Sequence, residues 1–319
     1  MLSTIGKRGY VADYLRRADP EVRVIGTGND PFTPGFRHVD AAALVPSIES
    51  PDYPGAVREV VKQHEIDAIL TFADPDTVAL ANLRHELSEA GVACFFPGPR
   101  TTKFTYDKLE TARWAEENGF VCPRTVTDWD GARATFGASF VAKPRTGSAS
   151  SGVLFIRPND DRSILAPDVD YIFQEQLLGE EINLELLGDL NGSPVGLSLW
   201  RKLRSRHGET ELAVTFRDDA LLSYAERLSS TAEMIGPCDV DLMLVDDEIS
   251  LIEFNARFGG GYPTSDLAGA QFPEKLIAMA RGESLELSVE FEPDIFMMKS
   301  LQPFGGRIAD HKSLLHLDE

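Results

Sequence analysis

Apolar and polar positions alternate in a regular way along the first hundred residues. Short apolar runs at residues 22–26, 68–72 and 92–96 have the length of strands, and residues 56–63 and 78–90 carry apolar side chains at helical spacing. Strands that alternate with helices indicate a parallel sheet covered on both faces. This region is therefore expected to form a domain of the α/β class.

The pattern changes after the break at residues 97–99 (PGP), which precedes a helix predicted from Thr105 to Asn118. Strands joined by glycine-rich turns then follow at spacings suited to antiparallel pairing, at residues 140–143, 153–157, 171–177, 182–188 and 195–201. A long amphipathic helix at residues 219–235 precedes a hairpin of residues 240–245 and 249–255, and a short helix is predicted at 273–281. A second region built on antiparallel sheets is expected.

Charge narrows the choice of partners. The 319 residues include 51 acidic and 31 basic side chains, which gives a formal net charge of −20. Such an excess argues against a nucleic acid or an anionic membrane as the main partner. It does not exclude a nucleotide, because a few local cations and backbone amides hold phosphates inside an acidic protein.

The three cysteines, Cys94, Cys122 and Cys238, are far apart and lack the spacing of a metal site, so they are expected to be free thiols. No run of apolar residues is long enough to span a membrane, and the first residues lack the apolar stretch of a signal peptide. A cytoplasmic protein is expected.

The late hairpin brings carboxylates together. A turn centred on Asp247 places Asp241 opposite Glu253, because each lies six residues from that centre. Opposed Cβ atoms lie about 4.5–5.5 Å apart, so the two carboxylates repel unless a cation lies between them. Asn255 and Arg257 share the face of Glu253 by period two, and such an oxygen-rich set suits Mg²⁺. The alternative is a solvated face, but the apolar flanking residues favour the cation.

A second candidate is Lys143 with the loop of residues 145–152 (RTGSASSG), whose small side chains let backbone N–H groups approach an anion. The alternative is an ordinary surface connection. A third is residues 174–181 (QEQLLGEE), where a strand reaching a polar kink presents its backbone to an adenine edge. On spacing alone, a solvated turn is the better interpretation there. Lys108 and Arg201 are, on the same basis, more typical of a solvated helix face and strand end.

These pieces occur in an order that resembles the ATP-grasp superfamily, and in particular its carbamoyl-phosphate-synthase-like, single-chain carboxylate–amine ligases. The resemblance rests on Asp107-Lys108, on residues 141–144 (VAKP) with the loop that follows, on residues 174–181, and above all on residues 252–263 (IEFNARFGGGYP). Residues 3–10 (STIGKRGY) and 74–76 (DPD) resemble the pre-ATP-grasp domain of that group.

The resemblance implies a Rossmann-like domain over residues 1–100, a two-lobed ATP-grasp domain over 101–285 with a flap at about 124–173, and a tail over 286–319. It implies ATP and Mg²⁺ as cofactors. The residues it assigns to ATP are Lys108, Lys143, Ser148, Ser150, Ser151, Gly152, Glu175, Gln176, Leu177 and Glu181. It assigns Mg²⁺ to Asp241, Glu253 and Asn255, and catalysis to Arg257, Arg201 and Lys143.

The implied function is a ligase that activates a carboxylate as an acyl-phosphate and joins it to an amine, with ADP and phosphate as products. Its partners are then small-molecule carboxylates and amines, with amino acids among the candidates, and relatives that are often dimers suggest a homodimer. One alternative is a kinase of carbamate or another small acid that forms no amide. A nicotinamide-dependent oxidoreductase is less favoured, because the fragment Gly26-Thr27-Gly28 has Pro31 where the third glycine of that fingerprint belongs. A non-catalytic nucleotide-binding module is the remaining alternative.

Overall fold

The computed structural model describes residues 1–147, 151–206, 208–303 and 305–307. Of the residues assigned to ATP by resemblance, Ser148 and Ser150 lie outside this described part of the chain. Within those ranges, no helix combines the length and apolar character that a membrane crossing requires.

The N-terminal residues form a five-stranded parallel sheet. Its strands are β1 (Leu2–Ser3), β2 (Ile25–Gly28), β3 (Ala41–Leu44), β4 (Ala68–Thr71) and β5 (Ala93–Phe95). Their order across the sheet is β3-β2-β1-β4-β5, and each neighbouring pair is parallel. The strand order therefore reverses between β1 and β4, which is the topological switch point where open α/β sheets bind ligands. The sequence predicted β2, β4 and β5 to within a few residues.

Helices cover this sheet. They are α1 (Tyr10–Ala18), α2 (Tyr53–Gln63), α3 (Asp74–Ala81), α4 (Arg84–Glu89) and α5 (Pro99–Tyr106). The single helix predicted over residues 78–90 is in fact two, α3 and α4. Helix α3 begins early because Pro75 occupies its first turn, where the missing N–H costs no hydrogen bond.

Helix α6 (Lys108–Glu117) begins where its cap dictates. The Asp107 carboxylate accepts hydrogen bonds from the N–H groups of Leu109 and Glu110, at 3.0 and 3.4 Å. It also accepts from Arg145 Nε at 2.8 Å, and Lys108 N donates to the Arg145 carbonyl at 2.9 Å. Helix α6 thus begins three residues later than the sequence predicted. Its first turn is hydrogen-bonded to Arg145, the first residue of the small-residue loop.

A smaller antiparallel sheet follows, in the region predicted as a flap. It contains β6 (Thr125–Val126), β7 (Phe140–Pro144), β8 (Leu154–Ile156) and β9 (Tyr171–Gln174), in the order β6-β9-β7-β8. Helix α7 (Trp129–Phe136) lies on it, and a 3₁₀ turn occupies Arg162–Ile164. Trp129, Phe140 and Phe173 form its own small core, with edge-to-face ring contacts.

The larger sheet is antiparallel throughout and has six strands. They are β10 (Glu180–Gly188), β11 (Pro194–Arg206), β12 (Glu209–Thr215), β13 (Gly236–Val245), β14 (Glu248–Asn255) and β15 (Phe296–Met298), in the order β14-β13-β10-β11-β12-β15. Helix α8 (Asp219–Ala232) packs on β10 and β11, and α9 (Tyr262–Leu267) and α10 (Phe272–Ala280) follow the sheet. Apolar side chains of β10 face this core, and polar ones alternate on the opposite face.

The β13–β14 hairpin has a tighter turn than the sequence suggested. Asp246 and Asp247 form a two-residue turn with positive φ at both positions, and Val245 pairs with Glu248. This turn alone would not place Asp241 opposite Glu253. A bulge at Ile252 inserts one residue into β14, and it restores the predicted pairing of Asp241 with Glu253.

The residues predicted as a separate tail are partly built into the large sheet. Strand β15 pairs with β12, and the side chains of Phe291 and Met297 are buried. Part of the segment predicted as a tail therefore contributes a strand to the large sheet. The apolar run at residues 295–298 (IFMM) is too short to have predicted a strand.

Candidate active site

A cavity of about 270 Å³ lies between the two antiparallel sheets. Strands β7 and β9 contribute to one wall, and β10, β11, β13 and β14 contribute to the other. The N-terminal domain reaches it through Arg8. The cavity brings together most of the described residues that the resemblance assigned to ATP and Mg²⁺, namely Lys108, Lys143, Ser151, Glu175, Gln176, Leu177, Glu181, Asp241, Glu253 and Asn255.

One end of the cavity is largely apolar with a polar edge. Val141, Met243 and Ile252 line it, next to the segment that follows β9. There, the Glu175 carboxylate accepts hydrogen bonds from Arg124 N and Nε, both at 2.8 Å. Glu175 N also donates to the Arg124 carbonyl at 3.1 Å. Glu175 therefore anchors this segment, and Gln176 and Leu177 line the cavity beside it.

Lysines and carboxylates come together in the lining of the cavity. Lys108 Nζ lies 3.2 Å from Glu253 Oε1 and 3.0 Å from the carbonyl oxygen of Gly147. Burial lowers the pKa of Lys143, which is offset in part by Glu253 and Asp241. Burial also raises the pKa of Glu253, and Lys108 opposes that rise. The fold therefore holds cations and carboxylates in one poorly solvated space.

The Asp241 carboxylate is held in place from several strands. Asn183 Nδ2 on β10 donates to it at 2.7 Å, and Asn255 Nδ2 on β14 donates at 3.2 Å. Lys202 Nζ on β11 lies 3.4 Å away and also pairs with Glu181. The position of the Asp241 carboxylate is thus fixed by hydrogen bonds from the strands on both sides of β13.

The side-chain oxygens of Asp241, Glu253 and Asn255 share one region of the cavity wall. In the described part of the chain, no group of three or more His, Cys, Asp or Glu side chains is arranged to hold a metal ion. Two carboxylates and one amide oxygen suit Mg²⁺, which is usually held by few protein ligands together with phosphate oxygens and water. The donor set present here therefore fits Mg²⁺ bound with a nucleotide.

Arg257 connects this centre to the N-terminal domain. Its guanidinium donates to Asp74 on α3 at 3.2 Å, to the Asn255 amide oxygen at 2.8 Å and to the Phe258 carbonyl at 3.1 Å. Burial acts to lower the pKa of Arg257, but Asp74 and neighbouring acids outweigh it and raise the pKa. The guanidinium is therefore charged, fixed and directed to the cavity, which it lines.

Arg201 does not take the place that the sequence suggested. It lies opposite Ile182, stacks over the Phe216 ring at 3.6 Å and pairs with Glu180, outside the cavity lining. Side chains alternate along a strand, so the next residue, Lys202, faces the cavity instead. Among the described residues of this strand segment, Lys202 therefore lines the cavity and Arg201 does not.

Residues of the loop after β7 lie at the cavity as far as they are described. Ser151 lines it, and Gly152 has a φ of 73°. A Cβ added to Gly152 would lie 2.8 Å from Pro144 Cγ, so the close approach requires glycine.

Two buried acidic residues near the cavity were not predicted from the sequence as part of the site. Asp239 accepts a hydrogen bond from Asn183 Nδ2 at 2.9 Å, and Glu185 is fully buried beneath Gly259. Burial raises the pKa of both carboxyls, that of Asp239 to about 6. The signal was present in β10, where Glu181, Asn183 and Glu185 recur with period two within an apolar strand.

Comparison with known families gives the same result as the geometry. Residues 105–261 match the family model described as an ATP-grasp domain, and residues 1–95 match the one described as a PylC-like N-terminal domain. Residues 105–261 therefore belong to the ATP-grasp superfamily. The predicted superfamily and fold class are thereby confirmed, as is an ATP-grasp enzyme of the ADP-forming ligase type with ATP and Mg²⁺ as cofactors.

Solved structures share the fold of this ATP-grasp chain at low sequence identity. The Staphylococcus aureus N5-carboxyaminoimidazole synthetase complexed with ADP aligns with a TM-score of 0.74 and 15% identity, over 91% of this chain and 79% of that one. The biotin carboxylase domain of Hydrogenobacter thermophilus 2-oxoglutarate carboxylase aligns with a TM-score of 0.71 and 15% identity, over 92% of this chain and 72% of that one. Campylobacter jejuni biotin carboxylase aligns with a TM-score of 0.71 and 14% identity, over 89% of this chain and 71% of that one. No curated protein matches the sequence.

Proposed function

We propose that this ATP-grasp protein is a carboxylate–amine ligase that forms an amide or peptide bond through an acyl-phosphate. The observation that carries the proposal is one cavity in which Lys108 and Lys143 face Asp241 and Glu253, with the guanidinium of Arg257 beside them. Cations for phosphates, oxygens for Mg²⁺ and a fixed guanidinium are the parts that phosphoryl transfer to an anionic acceptor requires.

Different parts of the cavity bind the nucleoside and the phosphates of ATP in this proposal. In the proposal, the apolar end with Gln176 and Leu177 holds the adenine, and Glu181 accepts hydrogen bonds from the ribose hydroxyls. Lys108, Lys143, Ser151 and the loop around Gly152 bind the phosphates. Lys202, which pairs with both Glu181 and Asp241, extends the row of cations along the same wall.

The reaction then has two steps. A carboxylate oxygen attacks the γ-phosphorus of ATP, and the bond to the bridging oxygen breaks with ADP as the leaving group. The amine nitrogen next attacks the carbonyl carbon of the acyl-phosphate, loses a proton, and expels phosphate. Asp241, Glu253 and Asn255 would hold Mg²⁺, which would neutralise charge on the phosphates. Arg257 orients the anionic acceptor, and its charge offsets the repulsion between acceptor and phosphates.

The ligands of one structural neighbour support the proposal of small-molecule substrates. The Hydrogenobacter biotin carboxylase domain was solved with MgADP and bicarbonate, a nucleotide together with a small oxyanion. Small-molecule substrates are therefore proposed for this chain as well. A homodimer and a cytoplasmic location stay predictions from the sequence.

An ADP-release assay tests the proposal. Purified protein with Mg·ATP is screened against pairs of carboxylates and amines, and ADP release is expected to require both partners. Hydroxylamine in place of the amine is expected to give a hydroxamate, because it traps the acyl-phosphate. ADP release with no trapped hydroxamate from any carboxylate would contradict the acyl-phosphate.

The same assay separates the kinase alternative. A kinase of carbamate or another small acid would release ADP at full rate without any amine, and it would accumulate the phosphorylated acid. The ligase is expected to show a rate that rises with amine concentration and a product that contains the new amide.

A further inference from the structure

The cavity continues past Arg257 to a group of charged residues that come from separate parts of the chain. Arg8 belongs to the N-terminal domain, Glu209 begins β12, and Lys299 follows β15. Arg8 and Glu209 line the cavity together with Gly260. We call Arg8, Glu209 and Lys299 the distal charge group. None of these residues has a place in the nucleotide and Mg²⁺ site.

Arg8 is held at the topological switch point of the parallel sheet. It lies in the segment after β1, and its guanidinium donates to the carbonyl of Phe72, directly after β4. The crevice at the carboxyl ends of such strands is where open α/β sheets bind small ligands. Arg8 lies close enough to Arg257 for each charge to act on the other. Two neighbouring guanidiniums make this end of the cavity attractive to a carboxylate.

Glu209 supplies the opposite charge at the same place. Its carboxylate lies above Gly260, since a Cβ added there would be 2.8 Å from Glu209 Oε2. Lys299 Nζ lies 3.3 Å from that oxygen, and Arg8 lies 4.0 Å from the other. Although burial works in the opposite direction, Lys299 and Arg8 lower the pKa of Glu209. Glu209 is therefore an ionised carboxylate that is positioned on the cavity wall.

The separation between Arg8 and Glu209 leaves both of them with capacity for a ligand. A direct charge-assisted hydrogen bond between guanidinium and carboxylate is about 2.7–2.9 Å long. At 4.0 Å, this pair attracts without closing such a bond. A cation and an anion held side by side at this spacing match a ligand that carries a carboxylate and an ammonium on one carbon.

We infer that the distal charge group binds a zwitterionic α-amino acid, with Arg8 on its carboxylate and Glu209, positioned by Lys299, on its ammonium. The inference rests on the proposed ligase function and specifies the class of one of its two substrates. It assigns Arg8 and Glu209 to substrate specificity and leaves the phosphate chemistry to the residues around Arg257.

Binding to the wild-type protein tests the inference without any variant. The common α-amino acids and their D-enantiomers are titrated singly by calorimetry in the presence of Mg·ADP. At least one is expected to bind, and its carboxamide and N-acetyl derivatives are each expected to bind about tenfold or more weakly, because each lacks one of the paired charges. The absence of binding by every amino acid, or equal binding of either derivative, would overturn the inference.

Variants add a second readout with a matched control. Glu209→Gln and Arg8→Met are expected to weaken amino-acid binding about tenfold while leaving the affinity for Mg·ADP unchanged. Glu211→Gln makes the same change two residues along β12, where the carboxylate pairs with Arg204 outside the cavity, and is expected to change neither. Loss of both affinities in Glu209→Gln would point to a structural role and count against the subsite.

The two proposals fail in different ways. Absence of carboxylate-dependent ADP release defeats the ligase function, whatever the amino-acid titrations give. Ligase activity restricted to substrates that contain no amino acid defeats the distal subsite and leaves the ligase function intact.

Discussion

Glu253→Gln separates the electrostatic role of this side chain from its contribution to folding. The substitution keeps the shape and the hydrogen-bonding oxygen but removes the negative charge that lies 3.2 Å from Lys108 Nζ. Because Asp241 is the other carboxylate of the proposed Mg²⁺ set, the variant leaves that set with a single charge. Turnover with Mg·ATP is therefore expected to fall much more than stability.

The structure gives the size of both effects. At 3.2 Å and an effective dielectric of about 20, the gross attraction between Glu253 and Lys108 is about 5 kcal/mol. Most of it is offset in the folded state by desolvation, which is why burial raises the pKa of Glu253. A net stability change of about 1 kcal/mol, or about 2–4 °C in Tm, is expected. Loss of a preorganised charge at the transferring phosphate is worth about 3–4 kcal/mol, hence about 10²–10³-fold in kcat.

The assay is steady-state ADP release at several Mg²⁺ concentrations, with Tm measured in parallel. Glu253→Gln is expected to need more Mg²⁺ than the wild type for half-maximal rate. The control is Glu248→Gln, which changes an exposed carboxylate at the turn end of the same strand and is expected to leave rate and Tm unchanged. A Glu253→Gln rate within about threefold of wild type at every Mg²⁺ concentration would refute the assignment of Glu253 to the metal.

Three other sets of substitutions have outcomes that the structure determines. Lys202→Met is expected to lower kcat at least tenfold, whereas Arg201→Met, outside the cavity lining, is expected to keep the ADP-release rate within about twofold. The reverse order would contradict a role in turnover for Lys202 rather than Arg201. Burial raises the pKa of Asp76 to about 6 from 3.8, so its stabilising effect is complete below about pH 4 and is lost as the pH rises to 6. The Tm of Asp76→Asn relative to that of the wild type should therefore increase between pH 4.5 and 7, and the corresponding change in the free energy of unfolding is at most about 3 kcal/mol. A Tm difference that stays constant over this pH range would contradict the raised pKa of Asp76. Gly261→Ala places a Cβ 2.1 Å from an indole carbon of Trp200 and is expected to cost about 1–3 kcal/mol in thermal unfolding. Gly55→Ala, at an exposed position of α2 with nothing within 4 Å of the added Cβ, should stabilise by about 0.5–1 kcal/mol.

The carboxylate hairpin shows how far a sequence pattern can be followed. The opposition of Asp241 and Glu253 was predicted from a symmetric turn, and the structure has that opposition. It arises because the two-residue turn shifts the pairing by one residue relative to the symmetric turn, and the bulge at Ile252 shifts it back by one residue. Period two and turn chemistry are local properties that a sequence displays, but a bulge depends on packing against the neighbouring strand.

Other parts of the site depend on contacts that local patterns do not encode. The basic run at residues 201–204 gave no indication of which residue faces inward, since a shift of one position exchanges the faces of a strand. Lys299 reaches Glu209 only because β15 adds to the edge of the large sheet. The parallel sheet and the cavity-lining motifs were predictable, because periodicity and motif order are properties of short segments.

The hydrogen bond between Asp74 and Arg257 joins residues 183 positions apart and makes the first domain a component of the proposed reaction centre. An excised fragment that starts after residue 100 would retain Arg257 but lose the acid that keeps its guanidinium in register. If Arg257 has its proposed role, an exchange of N-terminal domains between homologous ligases would also exchange the residue that positions this guanidinium. Such chimaeras are then expected to be active only when the incoming domain carries a carboxylate at the position of Asp74.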